Sequence, residues 1–253
     1  MRISRFFIDQ PLKSNGSIEI VAERAHYIRN VLRLKSGNSL ILFNGAGGEY
    51  PATLTEITKK SVCASLGEQN PINRNQPRGV TLGIGILKRD AMDLALQKAV
   101  ELGVAFIQPL VTDRITVPMK QIKSRQDHWQ AIAISSCEQC GMNIVPEVKA
   151  PRELSDWCQS QVGQRLIADP EANSGDKLQH NQITESMDPI SILVGPEGGF
   201  TEFEVSLAVT AGFRGINLGP RILRAETAAI SLLTLVNQAL LESDSANFGL
   251  NKI

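Results

Sequence analysis

The sequence predicts two parts, a small β-rich domain and then a parallel α/β sheet. Three observations carry this. Strand patterns crowd the first 70 residues, a polar stretch with two prolines follows, and beyond it strands and helices alternate to the end.

In the first part the expected strands are Arg2–Phe7, Ser17–Ile20, Ser39–Phe43, Glu49–Ile57 and Ser61–Leu66. Asn44-Gly45-Ala46-Gly47-Gly48 is a strong turn signal between two of them. One helix interrupts, about Ala22–Leu32. It places Ile28, Val31 and Leu32 on one face and spaces Arg29 and Arg33 at i, i+4. Gly67–Gly79 is polar and without hydrophobic period, and its residues 71–79 are taken as the linker between a domain of residues 1–70 and one of 80–243.

The second part opens with a strand at Val80–Leu87. A helix capped by Asp90 runs to Leu102, with Met92, Leu96 and Ala99 on one face. Strand Ala105–Leu110, helix Gln121–Gln139, helix Arg152–Gln161 and strand Arg165–Ala168 follow. Ile190–Val194 lacks polar alternation beyond Ser191, so it should be covered on both faces. Thr201–Ala211 is helical, Gly215–Leu218 is a short strand, and Ala225–Leu241 is a long apolar helix. Residues 244–253 read as a frayed tail.

Composition narrows the class. The chain has 253 residues, 42% hydrophobic and 21% charged, which excludes a disordered or collagen-like polymer. No run of 18 apolar residues exists, and the N-terminus lacks the apolar core of a signal peptide. Four unevenly spaced cysteines do not build a disulfide framework, so a reduced, cytoplasmic protein is expected. Net charge is zero, but residues 1–75 carry 10 Lys/Arg against 6 Asp/Glu, a net of +4. An N-terminal part that meets a polyanion would show such a bias, and so would an ordinary solvated surface.

Two glycine-rich turns carry the chemistry. In Ile192–Glu204 a buried strand ends at Gly195-Pro196-Glu197-Gly198-Gly199, and Thr201 with Glu204 forms a capping box for the next helix. One unit later, Asn217-Leu218-Gly219-Pro220-Arg221-Ile222-Leu223-Arg224 leads from a strand into the apolar final helix. Turns past the carboxyl ends of parallel strands are where ligands bind in open α/β sheets, and two of them could wall one pocket. The spacing is neither a dinucleotide fingerprint nor a P-loop, and Glu197 would repel a phosphate. A ligand read by backbone groups fits better, with a tight β–α turn and no ligand as the bland alternative. Arg221 and Arg224 precede a helix N-terminus, where cations oppose the macrodipole and so need another reason to be there.

These residues resemble a known family. Val194-Gly195-Pro196-Glu197-Gly198-Gly199-Phe200, with Leu218-Gly219-Pro220-Arg221-Ile222-Leu223-Arg224-Ala225-Glu226-Thr227-Ala228, is similar to the SPOUT-class ribosomal RNA small-subunit methyltransferase E family, which makes N3-methyluridine in 16S rRNA. Gln97–Val104, Glu138-Gln139-Cys140-Gly141 and Val145-Pro146 resemble its middle segments. Arg2–Phe7 and Val31–Gly37 resemble its PUA-like RNA-binding domain. Met142 stands where the family usually has Arg.

The resemblance implies a SPOUT-type parallel sheet with a C-terminal trefoil knot, preceded by a small PUA-like β-barrel domain, in a homodimer. It implies S-adenosyl-L-methionine bound by Val194, Gly195, Pro196, Glu197, Gly198 and Gly199 on one side and Leu218, Gly219, Ile222, Leu223 and Thr227 on the other. Arg224 would stabilise charge on the uracil carbonyls, and Glu226, Glu197 and Glu101 are candidate acceptors for the N3 proton. Arg2, Arg5, Arg29 and Arg33 would grip phosphates of 16S rRNA or the assembled small subunit. A catalytically silent RNA-binding assembly factor, or the same chemistry on another RNA, are the rival readings. No membrane or metal partner is expected. Cys137-x-x-Cys140 has no second pair near it, and His26, His128 and His180 resemble no triad.

Overall fold

The computed structural model describes residues 3–75, 78–122, 124–172 and 188–248, with the backbone alone for residue 119 and residues 243–248. Arg2 and His180 lie outside the described residues. The chain divides into two compact units. One holds the residues up to Asn75 together with Cys137–Val145, and the other the residues from there to Ser136 and from Pro146 onward.

The first unit is built on strands β1 (Arg5–Phe7), β2 (Ser17–Val21), β3 (Ser39–Phe43), β4 (Tyr50–Ile57) and β5 (Ser61–Leu66). Their order is β1-β3-β4-β5-β2, with β1 parallel to β3 and the other pairs antiparallel. The path ends at β1 and β2, so the sheet is a curled half-barrel rather than a closed one. Alternation along β2 and β4 sends Ile18, Ile20, Ala52 and Leu54 to one core, where Phe6, Leu40, Leu42 and Val62 join them.

The expected helix differs in its second half. Helix α1 (Ala22–His26) gives way to a π turn at Tyr27–Val31, closed by Leu32 N–H donating to Tyr27 C=O at 3.1 Å. The extra residue in that turn rotates the face. Ile28 stays buried, Val31 is exposed, and Arg33 takes a left-handed backbone (φ 54°) beyond the helix end.

Arg5 is not a free surface cation. It pairs with buried Glu49 and donates to Asn143 Oδ1 at 2.6 Å and Gly141 C=O at 3.1 Å. Arg74 reaches the same Glu49 carboxylate at 3.1 Å and Gly141 C=O at 2.8 Å. Burial alone would raise the Glu49 carboxyl; the hydrogen bonds and charges of Arg5 and Arg74 outweigh it and hold the group below its ordinary range. Through this cluster Cys137–Val145 is tied to the sheet, and Met142 is buried in it. The expected linker, residues 71–79, is likewise docked near its ends: Ile72 C=O accepts from Asn143 Nδ2 at 3.0 Å, and Arg78 is buried and donates to Asp188 C=O.

The second unit is a parallel sheet of β6 (Val80–Gly85), β7 (Phe106–Val111), β8 (Glu147–Val148), β9 (Arg152–Glu153), β10 (Gln164–Ala168), β11 (Ile190–Val194) and β12 (Arg214–Ile216). The order is β12-β10-β11-β6-β7-β8, with β9 also pairing β7. The chain leaves β6 in one direction and later fills the other side, so the strand order reverses around β11 and β6. All five residues of β11 are buried, as its unbroken apolar run requires.

Helices α2 (Arg89–Glu101), α3 (Met119–Ile122), α4 (Gln126–Cys140), α5 (Leu154–Ser160), α6 (Glu202–Thr210) and α7 (Ala225–Phe248) complete the fold. α2 packs on α7 and buries Met92, Leu96 and Ala99, while α5 meets α6 around Trp157 and Phe213. The single helix expected over Gln121–Gln139 is two, and Arg152–Glu153 pairs as strand before α5 begins. α7 continues to Phe248, past the expected start of the tail. α2 starts one residue early, and Asp90 lies inside its first turn without capping it.

Candidate functional site

The site grows from the reversal of strand order. β11 runs out at Val194 beside the end of β6, and the chain turns at Pro196–Gly199, where Gly199 N–H donates to Pro196 C=O at 2.9 Å. The turn crosses directly over β6. A Cβ on Gly85 would stand 2.5 Å from the Pro196 nitrogen, so only glycine lets the two backbones meet.

Thr201 then caps α6 in the expected reciprocal box. Its Oγ1 accepts from Glu204 N–H at 3.2 Å, and Glu204 Oε2 accepts from Thr201 N–H at 2.8 Å. The other Glu204 oxygen accepts from Asp113 N–H at 2.8 Å, which ties the loop after β7 to the same turn.

The opposite wall follows β12. Asn217 Oδ1 accepts from Gly219 N–H at 2.8 Å, and its Nδ2 donates to the carbonyls of Pro170 and Ala172, each at 3.0 Å. Gly219 has φ 111°, which the turn demands and side chains avoid. One amide thus holds together the loops that leave β10 and β12.

Between the walls lies a cavity of about 250 Å³. Val194, Gly195, Pro196, Glu197, Gly198 and Gly199 line one side, and Leu218, Gly219, Ile222 and Leu223 the other. Thr227 does not line it: it sits exposed in the first turn of α7, while Ala225 and Ala228 face the cavity. Ala168, Asp169 and Pro170 form a third wall that the sequence reading missed, although Asp-Pro directly after a strand is a turn signal.

The walls fit an adenosine-bearing cation. Apolar side chains and exposed backbone suit a nucleoside face, and the carboxylates of Asp169 and Glu197 suit positive charge. Arg221 also lines the cavity, one cation against the two carboxylates.

A wider cleft of about 830 Å³ adjoins the cavity, sharing Glu197, Ile222, Leu223 and Ala225 with it. Lys88, Arg89 and Asp90 at the start of α2 line it, with Arg224 and Glu226 at the start of α7. The three candidate carboxylates separate here. Glu197 accepts the Lys88 N–H at 2.7 Å and so caps the start of α2 from outside.

Glu101 pairs with Lys98 at 2.9 Å at the far end of α2, about 18 Å along the helix from Arg89, and lines neither space. It is thereby removed from the candidates; its neighbourhood in sequence said nothing of which helix end faces the turns. Glu226 is only 9% exposed, lines the cleft, and has no hydrogen-bond partner among the described residues. Arg224 is exposed beside it, also without a side-chain partner among those residues.

Arg29, Arg33, Cys137 and Cys140 belong to the first unit and line neither space. Arg29 is half-buried in the first unit and donates to Thr58 C=O at 2.6 Å; Arg33 is exposed. Burial pushes the Cys137 thiol up to about 12, with the neighbouring Cys140 and Glu138 adding to it. Among the described residues no group of three or more His, Cys, Asp or Glu is placed to hold a metal ion, and no helix is long and apolar enough to cross a membrane.

The pattern of matches to known proteins agrees with this geometry. A family model described as an RNA methyltransferase domain matches residues 74–237, and one described as an RNA methyltransferase PUA domain matches residues 22–66. The ribosomal RNA small subunit methyltransferase E of Buchnera aphidicola (subsp. Schizaphis graminum) is 34% identical over 237 residues, covering 92% of this chain and 95% of that protein. The Rickettsia conorii protein of the same name is 32% identical over 240 residues, 93% of this chain and 96% of its own.

Among solved structures, the Neisseria gonorrhoeae ribosomal RNA small subunit methyltransferase E bound to S-adenosyl methionine superimposes with a TM-score of 0.84 at 33% identity, covering 94% of this chain and 98% of that one. A Legionella pneumophila protein in complex with the bound cofactor SAM reaches 0.87 at 32% identity, with the same coverage. With both parts matched in order and nearly the whole length shared, the chain belongs to the ribosomal RNA small subunit methyltransferase E family.

Proposed function

We propose that this protein transfers a methyl group from S-adenosylmethionine to N3 of a uridine in 16S rRNA, as naked RNA or in the assembled small subunit. The observation that carries the reading is the joined pair of spaces, a backbone-lined cavity opening into a cleft lined by Glu226, a nearly buried residue whose carboxylate has no partner among the described residues. S-adenosylmethionine supplies an electrophilic methyl on its sulfonium. Val194–Gly199 would hold it on one side and Leu218, Gly219, Ile222 and Leu223 on the other, with Asp169 and Glu197 facing its positive charge.

With the cofactor held by the cavity walls, the acceptor would enter from the adjoining cleft. Uracil N3 carries a proton and is a poor nucleophile until it leaves. Glu226 takes that proton: it lines the cleft, it is nearly buried, and no neighbour among the described residues competes for its oxygens. Arg224, whose guanidinium has no partner among the described residues, stabilises the negative charge that spreads onto the uracil carbonyl oxygens. The target base is flipped out of its stack to reach the cleft.

Arg29 and Arg33 of the first unit contact phosphate; Arg5, committed to Glu49, does not. The exposed apolar side chains Leu94, Ile222, Leu235 and Leu241 are surface that a second copy would cover, consistent with a homodimer. The trefoil knot at the C-terminal turns and a cytoplasmic location belong to the same proposal.

The test is nucleoside mapping of 16S rRNA from cells lacking the protein. One N3-methyluridine should vanish, return with the wild-type gene, and fail to return with Glu226→Gln. An unchanged modification profile refutes the assignment.

A further inference from the structure

We propose that Arg114 is a positioning residue that holds the Pro196–Gly199 turn in the form that takes the cofactor. The inference rests on the cofactor site proposed above and adds a residue outside it. Arg114 lies in the turn after β7, closed by Ile115 N–H donating to Thr112 C=O at 3.4 Å. It is exposed, and it lines neither the cavity nor the cleft.

Its Nη1 nonetheless donates to two carbonyls of the opposite loop, Gly198 and Phe200, each at 3.1 Å. One guanidinium nitrogen carries two hydrogens in a fixed plane, so it can bridge two acceptors two residues apart. The backbones are close as well: a Cβ on Gly198 would stand 3.0 Å from Arg114 Cβ.

The geometry matters because of where the carbonyls point. Fixing the oxygens of Gly198 and Phe200 toward Arg114 fixes the peptide planes between Gly198 and Thr201. That sets the part of the turn lining the cavity. The same β7 loop is anchored independently at Asp113, whose N–H donates to Glu204. Loss of Arg114 therefore releases the turn without releasing the loop.

The test compares Arg114→Ala, Arg114→Lys and a control, Arg165→Ala. Arg165 donates to Ala211 C=O at 2.6 Å at the other end of α6, and it lines neither space. S-adenosylmethionine affinity is measured by calorimetry, amide exchange at Gly198–Thr201 by mass spectrometry without cofactor, and Tm by calorimetry. Arg114→Ala should weaken cofactor binding by about tenfold, speed exchange in the turn, and move Tm by no more than about 2 °C.

Arg114→Lys keeps the charge and loses the planar bridge, so it should restore only part of the affinity. Arg165→Ala should lower Tm and leave affinity unchanged. Unchanged affinity and exchange in Arg114→Ala overturn the inference, whether or not RNA binding falls; a weaker salt slope for RNA would then mark Arg114 as a phosphate contact. Failure of the wild-type protein to bind S-adenosylmethionine would instead overturn the cofactor site, and this inference with it.

Discussion

Gly83 and Gly85 lie two residues apart on one strand and present the same face, yet different neighbours press on them. A Cβ on Gly83 would stand 2.4 Å from the Trp157 ring; on Gly85 it would stand 2.5 Å from Pro196 N and 2.6 Å from Pro196 Cδ. Ordinary contact begins at 3.4 Å, so each alanine must drive its neighbour back by about 1 Å. Overpacking of that size costs about 1–3 kcal/mol, which lowers Tm by about 2–12 °C in a chain of this length.

The two substitutions differ in what they move. Gly83→Ala displaces a core ring; Gly85→Ala displaces the turn that walls the cavity. If about half the strain must be reversed for the turn to bind, affinity falls by roughly two- to tenfold, because 1.4 kcal/mol is one decade. Thermal melting and S-adenosylmethionine titration of both variants should therefore give similar losses of Tm, with weakened binding in Gly85→Ala alone. A Gly85→Ala protein that melts early and binds normally, or a Gly83→Ala protein that binds as poorly as Gly85→Ala, would refute the reasoning.

Other outcomes follow from the charges. Glu49 has a lowered carboxyl pKa in the folded protein, so its contribution is complete above the ordinary value of 4.5 and is lost as pH falls through the folded value below it. Glu49→Gln should cost about 3 kcal/mol at neutral pH and remove that part of the acid sensitivity, measured by denaturant unfolding from roughly pH 6 to 3. Burial pushes the Cys137 and Cys158 thiols up to about 12, so alkylation of the native protein at mildly alkaline pH should label Cys63 and Cys140 and spare the other two. Arg33→Gln should reduce the salt slope of RNA binding by about one and leave cofactor affinity intact, read by filter binding across a salt series.

Much of the fold was legible because its signals are local. The unbroken apolar run Ile190–Val194 announced a strand covered on both faces, and Thr201 with Glu204 announced a helix start to the residue. The two glycine turns announced the cavity, and ten of the eleven residues expected to line it do so.

What escaped depends on partners distant in sequence. Nothing around Arg5 says that Glu49, forty-four residues on, will bury it. The π turn at Tyr27–Val31 uses ordinary helix-forming residues, so the displaced face of Val31 has no local mark. Glu101 and Glu226 both look like carboxylates beside apolar helices; only the packing of α2 on α7 decides that one faces the cleft and the other a lysine. Asn217 could have been suspected, since Asn two residues before a glycine favours an Asx turn, but its grip on Pro170 and Ala172 needs the folded sheet.

The most direct test is a crystal structure with S-adenosylhomocysteine, the demethylated product of the cofactor. Density for the nucleoside should fill the space between Pro196–Gly199 and Leu218–Leu223, with the sulfur directed toward the cleft that holds Glu226 and Arg224. Density elsewhere, or a sulfur turned away from that cleft, would contradict the account.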